Sequence, residues 1–293
     1  KYVMKLPPPR RNNYLPNANN QIAIKCEDVW YQYKDGSVAL KGVNIDAIYD
    51  GEFVGFIGKN GSGKTTTCKL FNGLYKPTKG RVLVFGRDTK NLSVKQLASL
   101  VAYVAQIPDD QLFANTVREE LAFGPLNLGV PEEEVNIRVE TVAKELELTP
   151  YLDVSPFKLS QGLKQRVVVA SAMTMNPRIL VVDEPTTGQD FARAAAMMEL
   201  AKKLNQKGTT VIIISHNMDL IATYCHRVLV FHDGKVIESG PPHEVFQRLD
   251  ILSKTSLKPP QITSICRGLA EYGIPKDFIT VSEFFESLEQ VVK

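Results

Sequence analysis

Residues 58–66 read Gly-Lys-Asn-Gly-Ser-Gly-Lys-Thr-Thr, and no other stretch constrains the fold as tightly. An apolar run, Glu-Phe-Val-Gly-Phe-Ile, occupies 52–57, and Thr-Thr-Cys-Lys-Leu-Phe-Asn at 66–72 is able to start a helix. A glycine-rich loop between a strand and a helix is the context in which this spacing binds phosphate. Gly58, Gly61 and Gly63 permit turns that a β-carbon forbids. The N–H groups of the loop, Lys59, Asn60, Ser62 and Thr66 among them, then face an anion together with the helix N-terminus. Lys64 reaches the β- and γ-phosphates, and the Thr65 hydroxyl is placed to ligate Mg²⁺.

A second motif supplies what the first lacks. Residues 179–185 read Ile-Leu-Val-Val-Asp-Glu-Pro: four apolar residues for a buried strand, with two carboxylates at its tip. Ligands of open α/β sheets bind at that carboxyl edge. Asp183 suits a second Mg²⁺ anchor beside Thr65, and Glu184 suits a general base for an attacking water.

The rest of the chain is arranged around these motifs. Strand patterns with antiparallel character fill 22–33, 43–47 and 82–85, and 101–106 reads as a strand. Helical patterns occupy much of 115–175, with Pro131 and three following glutamates at a helix start. Strands at 178–183 and 209–215 flank a helix at 191–206, and Asp233-Gly234 marks a hairpin. Alternating β and α segments imply a parallel sheet covered by helices on both faces. Residues 1–20, rich in Pro, Asn and Arg, read as a tail or linker. The chain opens on Lys rather than Met, so it is expected to be trimmed or a piece of a longer polypeptide. Residues 241–293, punctuated by paired prolines, read as a small accessory helical segment, short for a core of its own.

Composition narrows the function classes. The net charge of +3 (35 basic against 32 acidic residues) gives no ground for a nucleic-acid partner. Four widely spaced cysteines argue against a disulfide framework or zinc site and fit a reducing compartment. No apolar run reaches the roughly 18–20 residues of a membrane span, so any membrane role must come through a partner.

The order of these features resembles the ATP-binding cassette family over about residues 21–240. That resemblance implies an α/β fold with a parallel core sheet, an antiparallel β subdomain, a helical subdomain at about 107–175 and a small C-terminal helical extension. It implies ATP and Mg²⁺ as cofactors. Tyr33 stands where the family stacks an aromatic ring on adenine. Gln106 stands at its glutamine loop, offering an amide oxygen to Mg²⁺ or the lytic water. Leu-Ser-Gln-Gly-Leu at 159–163 stands at the family signature, residues 185–190 at its dimer-contact loop with Asp190, and His216 at its switch histidine. In the family two cassettes sandwich two ATP molecules, and Ser160 and Gly162 would touch the γ-phosphate held by the partner.

Pro-Asp-Asp-Gln-Leu-Phe at 108–113, followed by Thr116 and Val-Arg-Glu-Glu at 117–120, is similar to the energy-coupling-factor and cobalt-type importers. That branch implies an ATPase at the cytoplasmic face of the cell membrane. Its expected partners are a second ATPase subunit or fused cassette, a transmembrane coupling subunit seated near 106–125, and a separate subunit that chooses a vitamin or transition-metal ion. The signature departs from the usual Leu-Ser-Gly-Gly-Gln at Gln161 and Leu163, and Gln189 replaces a usual Leu. A side chain at 161 is expected to crowd the partner's nucleotide or to clash with a glycine-only backbone, which predicts an asymmetric heterodimer, or two cassettes fused in one polypeptide, with one weakened site. Open alternatives are another importer branch, a non-transport cassette protein, and an ATP-binding switch without useful hydrolysis.

Overall fold

A computed structural model describes residues 21–184 and 191–292. The tail expected at 1–20 and the dimer-contact loop at 185–190, with Gln189 and Asp190, lie outside the described residues. In chain order the first elements are β1 (Ile22–Gln32), β2 (Val38–Tyr49), β3 (Phe53–Gly58), α1 (Lys64–Phe71), β4 (Lys79–Val84), β5 (Arg87–Asp88), α2 (Val94–Ala98) and β6 (Val101–Val104). Then come α3 (Val117–Leu128), α4 (Glu132–Glu145), α5 (Gln161–Thr174), β7 (Ile179–Asp183), α6 (Phe191–Gln206), β8 (Thr210–Ile214) and α7 (Met218–Tyr224). The chain closes with β9 (Arg227–His232), β10 (Lys235–Gly240), α8 (Pro242–Val245), α9 (Leu249–Thr255), α10 (Gln261–Gly268) and α11 (Val281–Val292).

Two sheets form. A six-stranded sheet runs β10-β9-β3-β8-β7-β6, parallel throughout except for the β9–β10 hairpin. An antiparallel sheet runs β2-β1-β4-β5. Strand side chains alternate between faces, and the alternation explains the near-continuous apolar runs. Val54, Phe56, Ile179, Val181, Ile212, Ile214, Leu229 and Phe231 join one core with α1 and the antiparallel sheet. Their neighbours Phe53, Ile57, Leu180, Val182, Val211, Ile213, Val228 and Val230 join a second core with the helices. A strand covered on both faces has no solvent side to make polar.

The expected strand at 101–106 is shorter than its apolar pattern suggested. It ends at Val104 because Gln111 takes over the backbone: its Oε1 accepts from the Ala105 N–H at 2.6 Å and its Nε2 donates to the Tyr103 carbonyl at 3.0 Å. The expected strand at 43–47 is longer and runs through the whole of β2. Helices α3 to α5 form the helical part, tied where Thr174 and Ser171 hydroxyls donate to the Leu121 and Glu120 carbonyls. In the C-terminal segment Val245, Phe246, Ile251 and Leu252 join the second core, while Ile262, Cys266, Ile274 and Phe278 form a small cluster of their own.

One buried ion pair fixes the start of β3. Arg227 donates through Nε and Nη2 to the two carboxylate oxygens of Glu52 at 2.7 and 2.9 Å, and Glu52 is 2 % exposed. Glu52 also accepts from the Tyr49 N–H, so three strands meet at one carboxylate. Removing one partner of such a pair strands a buried charge. Arg227→Met is expected to lower unfolding free energy by about 3 kcal/mol, read from the midpoint of denaturant unfolding.

Candidate nucleotide site

The phosphate-binding loop leaves β3 at its carboxyl end and enters α1 at Lys64. Its glycines are required by shape. A β-carbon on Gly58 (φ +150°) would lie 2.3 Å from the Phe231 carbonyl oxygen, and one on Gly63 (φ +103°) would lie 2.6 Å from Leu40. Gly61 also has positive φ but meets only open space. Lys64 is 5 % exposed and folds over the loop, donating to the Gly58 and Lys59 carbonyls at 2.7 and 3.0 Å. Burial pulls its pKa down, and the nearby Glu184 and Asp183 charges oppose that shift. Thr65 is half-buried on the first turn of α1. The Ser62 hydroxyl is buried, with no hydrogen-bond partner among the described residues.

Tyr33 stands beside this loop. Its hydroxyl is 2.8 Å from that of Thr66, and its ring meets Tyr31 and Tyr75 edge-on.

Strands β7 and β8 bring the remaining groups to the same edge. Asp183 ends β7, 3 % exposed; its Oδ2 accepts from the Tyr103 hydroxyl at 2.7 Å, and its Oδ1 is buried without a partner among the described residues. Burial, then the Asp183 charge, pushes the Tyr103 phenol far up in pKa, so it remains a donor. Glu184 follows in the left-handed region (φ +48°), a backbone state that non-glycine residues keep only when their surroundings enforce it. Its N–H is anchored on the Ile214 carbonyl at 2.9 Å.

His216, two residues past β8, lies with Nε2 3.0 Å from Glu184 Oε1 and 2.8 Å from Asn60 Oδ1. An Nε2–H tautomer suits both neighbours, Asn60 Oδ1 and Glu184 Oε1. The histidine therefore bridges the phosphate loop and the Glu184 carboxylate.

Gln106 is exposed in a bend beyond β6, and no hydrogen bond among the described residues joins it to this cluster. Ser160 and Gly162 lie apart too. Ser160 is the N-cap of α5 and Gly162 is in its first turn, and no described hydrogen bond joins them to the phosphate loop. The glycine-only backbone expected at 161 is not found. Gln161 is the first residue of α5, outside the residues of positive φ, and its Nε2 donates to Asp109 Oδ2 at 3.1 Å. Lys164 donates to the other oxygen of Asp109 at 2.5 Å. Leu163 is half-buried and packs at the edge of the second core.

Three residues of consequence were given no role by the sequence: Tyr103 lies outside the motifs, and Gln111 and Glu120 lie within the 108–120 segment. Tyr103 faces Val181 across the β6–β7 register, which puts it on the same face as Asp183; that pairing is invisible until the register is known. Gln111 fixes the bend that carries Gln106. Glu120, 3 % exposed, accepts from the Phe113 and Ala114 N–H groups and fixes the loop entering α3. Beside that loop Phe113 and Phe123, each about half exposed, meet edge-to-face at 4.6 Å and border a groove of about 600 Å³.

Comparison with known proteins places these observations. Residues 40–187 match the family described as ABC transporter. A putative ABC transporter ATP-binding protein of Caldanaerobacter subterraneus subsp. tengcongensis is 43% identical over 274 residues, 94% of this chain; the chain spans only 47% of that relative's length. An energy-coupling factor transporter ATP-binding protein of Methanocaldococcus jannaschii is 41% identical over 83% of this chain and 87% of its own length. Among solved structures, CbiO1 from Clostridium perfringens, part of the ABC transporter complex CbiONQ, aligns with TM-score 0.72 and 35% identity. That alignment covers 84% of this chain and 99% of CbiO1. The ATP-binding cassette MJ0796, dimeric in a post-hydrolysis state with ADP and Pi, aligns with TM-score 0.67 and 31% identity over 74% of this chain and 98% of its own.

The electrostatics of His216 give a direct check. Burial first, then repulsion from Lys64, lowers its pKa below the ordinary 6.5, while Asp183 pulls the other way. The native state thus prefers neutral His216. Its contribution to stability is complete above about pH 6.5 and is lost as pH falls through the depressed value. An NMR titration is expected to place the His216 midpoint below 6.5 and to move it up in Lys64→Met; an unmoved midpoint would leave burial as the whole cause.

Proposed function

The chain belongs to the ABC transporter ATP-binding family, and from that membership we propose that it is the ATP-hydrolysing subunit of an energy-coupling-factor-type membrane importer. The observation that carries the reading is the meeting of loop, carboxylates and histidine: Lys64, Asp183, Glu184 and His216 converge where β3, β7 and β8 end.

In this reading the loop from Gly58 to Thr66 wraps the phosphates, and Lys64 exchanges its carbonyl partners for phosphate oxygens. The site suits Mg²⁺. A buried carboxylate oxygen without a partner, Asp183 Oδ1, is the hard oxygen donor such an ion takes, with Thr65 and Gln106 as further ligands. Bound there, the ion would neutralise phosphate charge. Glu184 takes the proton of the attacking water. His216, already on Glu184 and Asn60, holds that base and donates toward the γ-phosphate. Tyr33 stacks on adenine.

Ser160 and Gly162 complete the site on a partner cassette, which accounts for their separation from this chain's own loop. The 14-residue helix α5 adds its positive end. ATP then holds two cassettes together and hydrolysis releases them. The engagement of Gln161 with Asp109 supports an ordinary helix start at the signature. Whether pairing is with a copy or with a different cassette, subunit or fused, is set by how that start meets the partner's nucleotide; we favour the asymmetric pair.

Coupling to a membrane subunit is supported by the groove near Phe113 and Phe123, whose exposed aromatic rings suit a helix from a membrane-embedded partner. No described helix of this chain is long and apolar enough to cross a membrane itself. The cargo, a vitamin or transition-metal ion, is chosen on another subunit, and this chain works at the cytoplasmic face.

Glu184→Gln removes the base and keeps the shape. It is expected to lower MgATP turnover at least about 100-fold while ATP accumulates a stable dimer, measured by size-exclusion chromatography with light scattering. Turnover intact with no trapped dimer would refute the role of Glu184. Gln161→Gly with Leu163→Gln tests the signature: turnover with the natural partner is expected to rise, and no gain would remove the weakened-site reading.

A further inference from the structure

Tyr103 belongs to two places at once. Its hydroxyl donates to Asp183 Oδ2 at 2.7 Å, the one hydrogen bond this carboxylate side chain makes among the described residues. Tyr103 also lines the groove of about 600 Å³ whose wall includes Ala98, Gln111, Phe113 and Phe123. The other β6 side chains are aliphatic: Val101, Ala102 and Val104. A phenol in that row has the length to cross from the groove wall to the end of the neighbouring strand. Parallel pairing of Tyr103 with Val181 sets it on the Asp183 face, so the contact is built into the register.

A buried carboxylate with two oxygens has two jobs to distribute. Here the phenol occupies Oδ2 and leaves Oδ1 unpartnered. Groups that hydrogen-bond to a metal-binding side chain orient it, and their loss weakens the metal about 10–100-fold. Phenylalanine would fill the same space without that donor.

We propose that Tyr103 is a positioning residue that turns the Asp183 carboxylate so that Oδ1 is the oxygen offered to the divalent cation, and that it makes occupancy of the groove felt at that carboxylate. The proposal rests on the reading of Asp183 as an Mg²⁺ anchor. Pressure on the ring from a docked helix would move the hydroxyl, and with it the carboxylate, without any change in the phosphate loop. A packing role alone would make no distinction between nucleotide with and without the ion.

The test uses the full chain and ATP affinity measured by titration calorimetry, once with Mg²⁺ and once with EDTA. The unsubstituted chain is expected to bind ATP more tightly with Mg²⁺. Tyr103→Phe is expected to cut that ratio about tenfold while the affinity in EDTA holds. Ala98→Trp, which fills the groove, is expected to change the ratio in the unsubstituted background by less than the roughly tenfold loss from Tyr103→Phe, and to leave it unmoved beside Tyr103→Phe. An unchanged ratio in Tyr103→Phe overturns the proposal, as does an equal loss with and without Mg²⁺. Equal shifts from Ala98→Trp in both backgrounds overturn the link to the groove. No Mg²⁺ effect in the unsubstituted chain overturns the reading of Asp183, and the proposal falls with it.

Discussion

Two-sided burial of the central strands governs this molecule. Strands β3, β7 and β8 are buried at every position. Polar groups are therefore excluded from their length and collected where they end. Because the strands are parallel, those ends lie on one edge. The phosphate loop, the Asp183–Glu184 pair and the Ser215–His216 turn are consequences of that arrangement, and a charged ligand has one natural place to bind.

The same edge holds unusual backbone and unusual charge. The Phe231 carbonyl lies too close to residue 58 for a β-carbon, so the loop's shape is set by β9 as well as β3. Glu184 is kept left-handed beside a strand whose carbonyl anchors it. Lys64 sits buried near two carboxylates and lowers the pKa of His216 across the site. These groups respond to one another, which suits a site whose ligand brings several negative charges and loses some of them in the reaction.

The motifs were legible because their chemistry is local. A glycine spacing, an apolar strand ending in two acids and a histidine after another apolar strand are all written in consecutive residues. The paths of β7, β8 and α6 were legible for the same reason, since apolar runs and an alanine-rich helix carry their own periodicity. What was hidden depends on contacts far apart in sequence. The end of β6 is decided by Gln111, seven residues beyond Val104. The donor for Asp183 lies 80 residues away on a neighbouring strand. The tie between Gln161 and Asp109, 52 residues upstream, could not be seen either. In the structure it joins the first turn of α5 to the segment leading toward the aromatic groove.

Shared sites are the central claim, since Ser160 and Gly162 stand apart from the phosphate loop of their own chain. MgATP hydrolysis per chain against total concentration tests it most directly. The account predicts turnover per chain that climbs with concentration, or none by the chain alone with ATP binding intact and activity restored by a partner cassette. Turnover per chain that stays constant down through the monomeric range would contradict it.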